Sequence, residues 1–240
     1  MKSPRRLAFI GPLRRPPTSS LLRPGILALL GVILVWLSGA AETTNSPLKQ
    51  IGPGLFQIGQ VHLDKQARSI TFPARVNMTN AAIEYLIVTK YGKTHESLLR
   101  TDAEPKDVNV AMLLLGAKGS TDALPEDPSK SIPGDAVAIE VSWKEKGREK
   151  RVRIEELVFN VQTKKSLSKG PWIYNGSRVE NGAFLAEQEG SIVSLITDGT
   201  ALVNNPRAGR ENDELCEVNS KTVPPLDTPV EVRFILQQKR

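Results

Sequence analysis

Apolar and polar residues alternate along most of the chain after Gly54. In GLFQIGQVHLD and RSITFPARVNM the apolar positions recur every second residue, at Val61 and Leu63 and then at Ile70 and Phe72. AVAIEVSW places Val137, Ile139 and Val141 on one face and Glu140 and Ser142 on the other; in PVEVRFIL, Val230, Val232, Phe234 and Leu236 repeat the pattern. A period of two belongs to a strand with one face in a core and the other in water. AAIEYLIVTK and KTHESLLRT flank Tyr91-Gly92 and predict a hairpin, and REKRVRIEEL predicts a strand returning against AVAIEVSW. One segment has a helical period instead. In EPKDVNVAMLLLGAKG, Val108, Ala111, Met112 and Leu115 form a buried stripe, Pro105 suits the first turn and Gly116 or Gly119 the end. The helix is apolar almost all round, which predicts deep packing against a sheet. The expected fold is α+β and predominantly β, with antiparallel sheet or sheets and one buried helix near 105–117.

Residues 1–41 stand outside this pattern. They carry Lys2, Arg5, Arg6, Arg14, Arg15 and Arg23 and no acid, followed by the uncharged GILALLGVILVWLSGAA and small residues at Ser38 to Ala41. A basic start, an apolar centre from Ile26 to Leu37 and a small-residue exit compose a secretory signal. A membrane-spanning helix needs about 20 apolar residues, with a lower limit near 17. The run from 25 to 41 reaches that limit only with its flanking glycines and alanines, so a cleaved signal and a retained anchor are the two readings. The organisation expected is a signal peptide or signal anchor over 1–41, a spacer over 42–51 and a single domain over 52–240. The protein is then exported, periplasmic or extracellular, and touches membrane only through an uncleaved N-terminal segment.

Setting the leader aside changes the charge. The chain has 32 basic and 26 acidic residues; without the six basic leader residues, 26 face 26. A neutral domain lacks the basic footprint that phosphate backbones require, so nucleic acid is not an expected partner. The local exception, KEKGREKRVR from Lys144 to Arg153, has a glycine at its centre and reads as a solvated hairpin tip. Cys216 is the single cysteine, and His62 and His95 the only histidines, so no cysteine- or histidine-based metal site and no cofactor is expected. Asn77-Met78-Thr79 and Asn175-Gly176-Ser177 match the glycosylation pattern, and Trp172 and Tyr174 share a strand face suited to core packing or to stacking on a sugar.

The densest candidate chemistry is KYGKTHESLLRT. With Tyr91-Gly92 as the hairpin turn, Val88 faces His95, Ile87 faces Glu96 and Leu86 faces Ser97. Glu84, His95 and Ser97 then share one face and Glu96 lies on the other. His95 and Ser97 would stand about 6.5 Å apart at roughly 3.3 Å per residue, beyond the approximately 3 Å of a working base and nucleophile. Glu84 and Glu96 lie among apolar residues and require partners, for which Lys90, Lys93, Arg100 and backbone amides are at hand. Glu84, His95, Glu96 and Ser97 therefore form a candidate polar cluster with no assigned catalytic role.

The segments GQVHLDKQARSITFPARVNMTNAAIEYLIV and YGKTHESLLRTDAEPKDVNVAMLLLGAKG resemble the YdjY-domain proteins of bacterial envelopes, and WIYNGS, FLAEQEGSIVSLITDGTALVNNP and EVNSKTVPPLDTPVEVRF are similar to the second half of the same domain. The resemblance spans nearly all of 52–236 and implies an exported bacterial domain of unestablished biochemical role, with no catalytic residues to transfer. Some relatives carry a ferredoxin-like description, which does not suit this chain: a cluster takes four thiolates, and only Cys216 is present. The expected function is a noncatalytic envelope module that binds a protein or a glycan. The alternatives are an envelope hydrolase around His95 and Ser97, or a membrane-tethered structural protein.

Overall fold

The computed structural model describes residues 47–238 apart from 121 and 126; the leader expected at 1–41 and the first part of the expected spacer, 42–46, lie outside the described residues. The first strands are β1 (Lys49–Gly52), which begins within the expected spacer, β2 (Leu55–Ile58), β3 (Val61–Asp64) and β4 (Ser69–Val76). β5 (Tyr85–Thr89) and β6 (Ser97–Thr101) precede helix α1 (Pro105–Leu114), after which come the long β7 (Asp135–Glu145) and β8 (Arg148–Arg153). Short strands β9 (Val158–Asn160), β10 (Lys165–Ser166), β11 (Trp172–Tyr174), β12 (Val179–Glu180) and β13 (Ala183–Phe184) lead to α2 (Leu185–Glu189). β14 (Ser191–Ser194), β15 (Val203–Asn204), β16 (Cys216–Val218) and β17 (Pro229–Leu236) follow.

Eight strands close into a barrel in the order β4-β17-β7-β11-β15-β14-β5-β6, and β6 returns to β4. β3, β2 and β1 extend outward from β4, and β8 extends from β7. The predominantly β expectation holds, but the sheet is mixed, because β5 with β6 and β14 with β15 run parallel. The expected hairpin at Tyr91-Gly92 is therefore corrected: Tyr85 pairs with Ser97, Ile87 with Leu99 and Thr89 with Thr101. The seven-residue link Lys90–Glu96 reaches about 23 Å when extended, ample for a return of about 13 Å along β5. All five residues of β5 are buried, as are four of the five in β6. Strands covered on both faces suit a parallel pair and have no solvated face of the kind an open hairpin presents.

The opposite half of the ring follows the alternating pattern. Ile70, Phe72, Ala74 and Val76 of β4, Val230, Val232, Phe234 and Leu236 of β17, and Val137, Ile139, Val141 and Trp143 of β7 are all buried. Phe72 and Phe234 meet edge to face with centroids 5.3 Å apart. β17 lies between β4 and β7 over nearly its whole length, so these three strands form the spine of the molecule.

Both outer edges of that spine branch. β4 gives Ser69–Thr71 to β3 and Arg75–Val76 to β6 on the same edge. Pro73 stands in the gap, where its missing N–H leaves no donor without a partner, and its carbonyl accepts the Thr101 hydroxyl at 2.5 Å. β7 likewise gives Asp135–Val137 to β11 and Glu140–Glu145 to β8. There the Ile139 carbonyl accepts Arg153 Nε at 3.3 Å.

Arg153 connects this second branch to a buried carboxylate. Glu155, on the single 3₁₀ turn after β8, is fully buried. Its Oε1 accepts from Arg153 Nη2 at 2.8 Å, Arg207 Nη2 at 3.0 Å, Trp172 Nε1 at 3.2 Å and the Gly170 amide at 3.3 Å. The Arg207 guanidinium lies 4.6 Å over the Trp172 ring. One carboxylate thus ties the end of β8 to the start of β11 and to the 205–215 loop.

α1 matches the expected span, with Pro105 in its first turn and Gly116 beyond its last. Val108, Ala111, Met112 and Leu115 are buried, but Val110, Leu113 and Leu114 are exposed, so the apolar helix buries one face and not its whole circumference. Its N-terminus meets α2, where Glu187 Oε2 accepts the Lys106 amide at 3.0 Å.

Removing the Glu155 carboxylate leaves Arg153 and Arg207 buried or half-buried without their counter-charge. Glu155→Ala should lower unfolding free energy by about 3–5 kcal/mol in urea denaturation, whereas Glu149→Ala on the exposed β8 edge should stay within about 0.5 kcal/mol of the parent. Equal effects would contradict the bridging role of Glu155.

Candidate functional site

The four flagged residues lie at the start of β5 and along the return to β6. Thr94–Glu96 forms a 3₁₀ turn where a strand was expected, held by the Asn77 amide, which donates to the carbonyls of Thr94 at 2.6 Å and Ser97 at 2.8 Å. The turn overturns the expectation that His95 and Glu96 point to opposite faces: His95 Nε2 lies 3.6 Å from Glu96 Oε2. His95 is exposed with 78% of its side chain accessible, whereas Ser97 is fully buried and donates its hydroxyl to the Leu99 carbonyl at 2.9 Å. The structure therefore joins His95 to Glu96 and leaves Ser97 inside the barrel wall, bonded to backbone.

Glu84 joins this group through the main chain, its amide donating to the Glu96 carbonyl at 3.0 Å. Burial, then the neighbouring Glu96 and Asp213 carboxylates, hold the Glu84 carboxyl above its ordinary range, while Lys93 and His95 pull it down. Of the cations at hand in the sequence, Lys93 donates to the Tyr85 hydroxyl at 2.6 Å with its ammonium 4.6 Å over that ring, and Tyr85 donates to Asp198 Oδ2 at 3.0 Å. Lys90 pairs with Asp102 and Arg100 with Asp227. Glu96 thus lies beside His95 and does not stand opposite Ile87.

The branching of β4 and β7 creates a second feature that alternation alone did not reveal. Register carries one row of side chains across seven strands on the face away from the core: Lys49 opposite Gln57, then His62, Thr71, Arg233, Glu140 and Arg153. Beside it Pro73, Glu231, Ser142 and Arg151 form another. All of these are exposed or half-buried except Ser142, which is 8% exposed. Two shallow grooves of about 330 and 450 Å³ cross this face and share Arg151 and Glu231. The ions differ in engagement: Arg151 Nη2 pairs with Glu149 Oε1 at 2.8 Å while its Nη1 is 3.8 Å from Glu140, and Arg233 donates to the Ser69 hydroxyl at 3.2 Å.

The other sequence features sort clearly. Trp172 and Tyr174 are core residues, Tyr174 donating to Asn109 Oδ1 at 2.5 Å. Asn175 is buried with its amide bonded to the Ala201 carbonyl, so the second glycosylation pattern lies inside the folded chain. Cys216 is buried and its thiol is pushed up to about 11 by burial. Among the described residues no three His, Cys, Asp or Glu side chains are grouped to hold a metal, and no helix is long and apolar enough to cross a membrane.

Compared with known proteins, the chain matches the sequence model of the YdjY domain over residues 61–235. No curated protein and no solved structure matches it.

The raised Glu84 carboxyl sets the sign of a pH effect. Its contribution to stability is complete below the unfolded value of 4.5 and is lost as pH rises through the higher folded value. The stability of the parent relative to Glu84→Gln, followed by urea denaturation, should fall between pH 4 and pH 7. A difference that is constant across that range would show that burial and the Glu96 and Asp213 carboxylates do not raise the Glu84 carboxyl.

Proposed function

Since the chain belongs to the YdjY domain family, a family of unestablished biochemical role, we propose that it is a noncatalytic, exported envelope module that binds a protein or glycan partner on the outer face of its branched sheet. The observation that carries this reading is the row from Lys49 to Arg153, continuous across seven strands on the face away from the core. A polar face with shallow grooves offers hydrogen-bonding groups along a length, which is what an extended peptide or a glycan chain engages. Solvent-exposed ion pairs such as that of Arg151 with Glu149 also cost less to redirect toward a partner than buried ones. Export is supported by the basic, then apolar, N-terminal segment with its small-residue exit.

The hydrolase alternative would need Ser97 as nucleophile. Its hydroxyl is buried and bonded to the Leu99 carbonyl, and His95 lies on the exposed turn that precedes the strand. A nucleophile must meet both a base and a substrate. The outer face requires neither.

The test uses charge reversal on that face. Full-length protein should capture a partner from envelope extract or bind members of a glycan array, and Arg151→Glu with Arg233→Glu should reduce that binding at least tenfold. His95→Ala should leave it unchanged. No binding in either assay, or binding indifferent to the double reversal, would count against the reading.

A further inference from the structure

The short seam that closes the barrel contains an arrangement with no structural economy. β4 and β6 share only two residue pairs, Arg75 with Arg100 and Val76 with Leu99. Two arginines therefore face each other directly across antiparallel strands, a placement that like-charge repulsion disfavours. Arg100 Nη2 reaches Asp227 Oδ1 at 2.5 Å, while Arg75 Nη1 obtains only the backbone carbonyl of Asp227 at 3.0 Å. Among the described residues Arg75 has no carboxylate partner.

A third cation completes the group. Lys90, at the start of the return from β5, lines the same cavity of about 200 Å³ as Arg75 and Arg100 and pairs with Asp102 at 2.9 Å. The remaining walls come largely from Pro73, Thr101, Pro229 and Gln60. Three cations thus meet two carboxylates, Asp102 and Asp227, and one positive charge is left uncompensated. Each guanidinium bonds to Asp227 through one nitrogen, so further N–H groups on Arg75 and Arg100 are available.

We propose that this seam cavity is a binding site for a phosphate-type oxyanion. The volume is below the approximately 300 Å³ at which drug-sized pockets begin, and so suits a compact group. A planar carboxylate is satisfied by one guanidinium fork, whereas a tetrahedral phosphate presents oxygens in several directions to cations on separate strands. Bound between Arg75 and Arg100, the anion relieves the repulsion that the seam otherwise carries, and so couples ligand occupancy to barrel closure. The site lies beyond the partner-binding reading and does not depend on it.

Calorimetric titration of full-length protein at constant ionic strength tests the site, with inorganic phosphate and glycerol phosphate as probes. Saturable binding is expected, weakened at least tenfold in Arg75→Gln and in Arg100→Gln and unchanged in Lys150→Gln at the β7–β8 tip. Tighter binding of glycerol phosphate would assign the ligand to a phosphate ester, and tighter binding of inorganic phosphate to the free ion. Thermal unfolding supplies the second readout: phosphate should raise the midpoint of the parent and not of Arg75→Gln, and without phosphate Arg75→Gln should melt no lower than the parent. No saturable binding of either probe, equal weakening in Lys150→Gln, or a lower phosphate-free midpoint in Arg75→Gln would overturn the proposal.

Discussion

A strand has two edges, and in this protein the two outer strands of the central trio each divide one edge between two partners. β4 serves β3 and β6, and β7 serves β11 and β8, while β17 holds the two together along their inner edges. Each division leaves a gap in a hydrogen-bonded ladder, and a gap inside a protein leaves polar backbone groups to be satisfied. Pro73 has no donor to strand there, and Thr101 caps its carbonyl; Arg153 caps the carbonyl of Ile139. Without these local solutions the chain could build a barrel or an open sheet. With them it builds both from the same three strands.

Much else depends on that arrangement. The barrel branch turns β5, β6 and β14 into a wall buried on both sides, which seals the hydroxyls of Ser97, Ser191 and Ser194 away from solvent. The open branch leaves the outer face of β1 to β4, β17, β7 and β8 free to present polar side chains in register. The Glu155 carboxylate and the Arg75–Arg100 pair sit at the two branch points and have opposite electrostatic character. At β7, one buried carboxylate satisfies two arginines and an indole. At β4, two facing arginines share one aspartate, Arg100 through its carboxylate and Arg75 through its backbone carbonyl.

What the sequence discloses follows from the same physics. Residues 70–76, 137–143 and 230–236 are legible because large apolar side chains recur at every second position facing the core, and α1 because Pro105 and Gly116 mark its ends. The direction of β6 relative to β5 is not legible, since YLIVT and SLLRT lack the alternation that would distinguish a hairpin from a covered parallel pair. The relation of His95 to Glu96 is not legible for a connected reason: alternation applies only to a strand, and Asn77 holds these residues in a 3₁₀ turn. Glu155 is hidden because it follows directly on a run of charges that resembles a solvated tip. Its burial depends on Arg207, 52 positions away, and on Trp172, which no local pattern connects to it.

The central claim is that β4 holds β3 and β6 on one edge, so that an antiparallel seam closes a barrel whose β5 and β6 run parallel. Interstrand nuclear Overhauser contacts test it most directly. The account predicts main-chain contacts of Arg75 with Arg100 together with His62 with Thr71, and a parallel pattern pairing Ile87 with Leu99. An antiparallel pattern that pairs Val88 with His95, with no contact between Arg75 and Arg100, would contradict it.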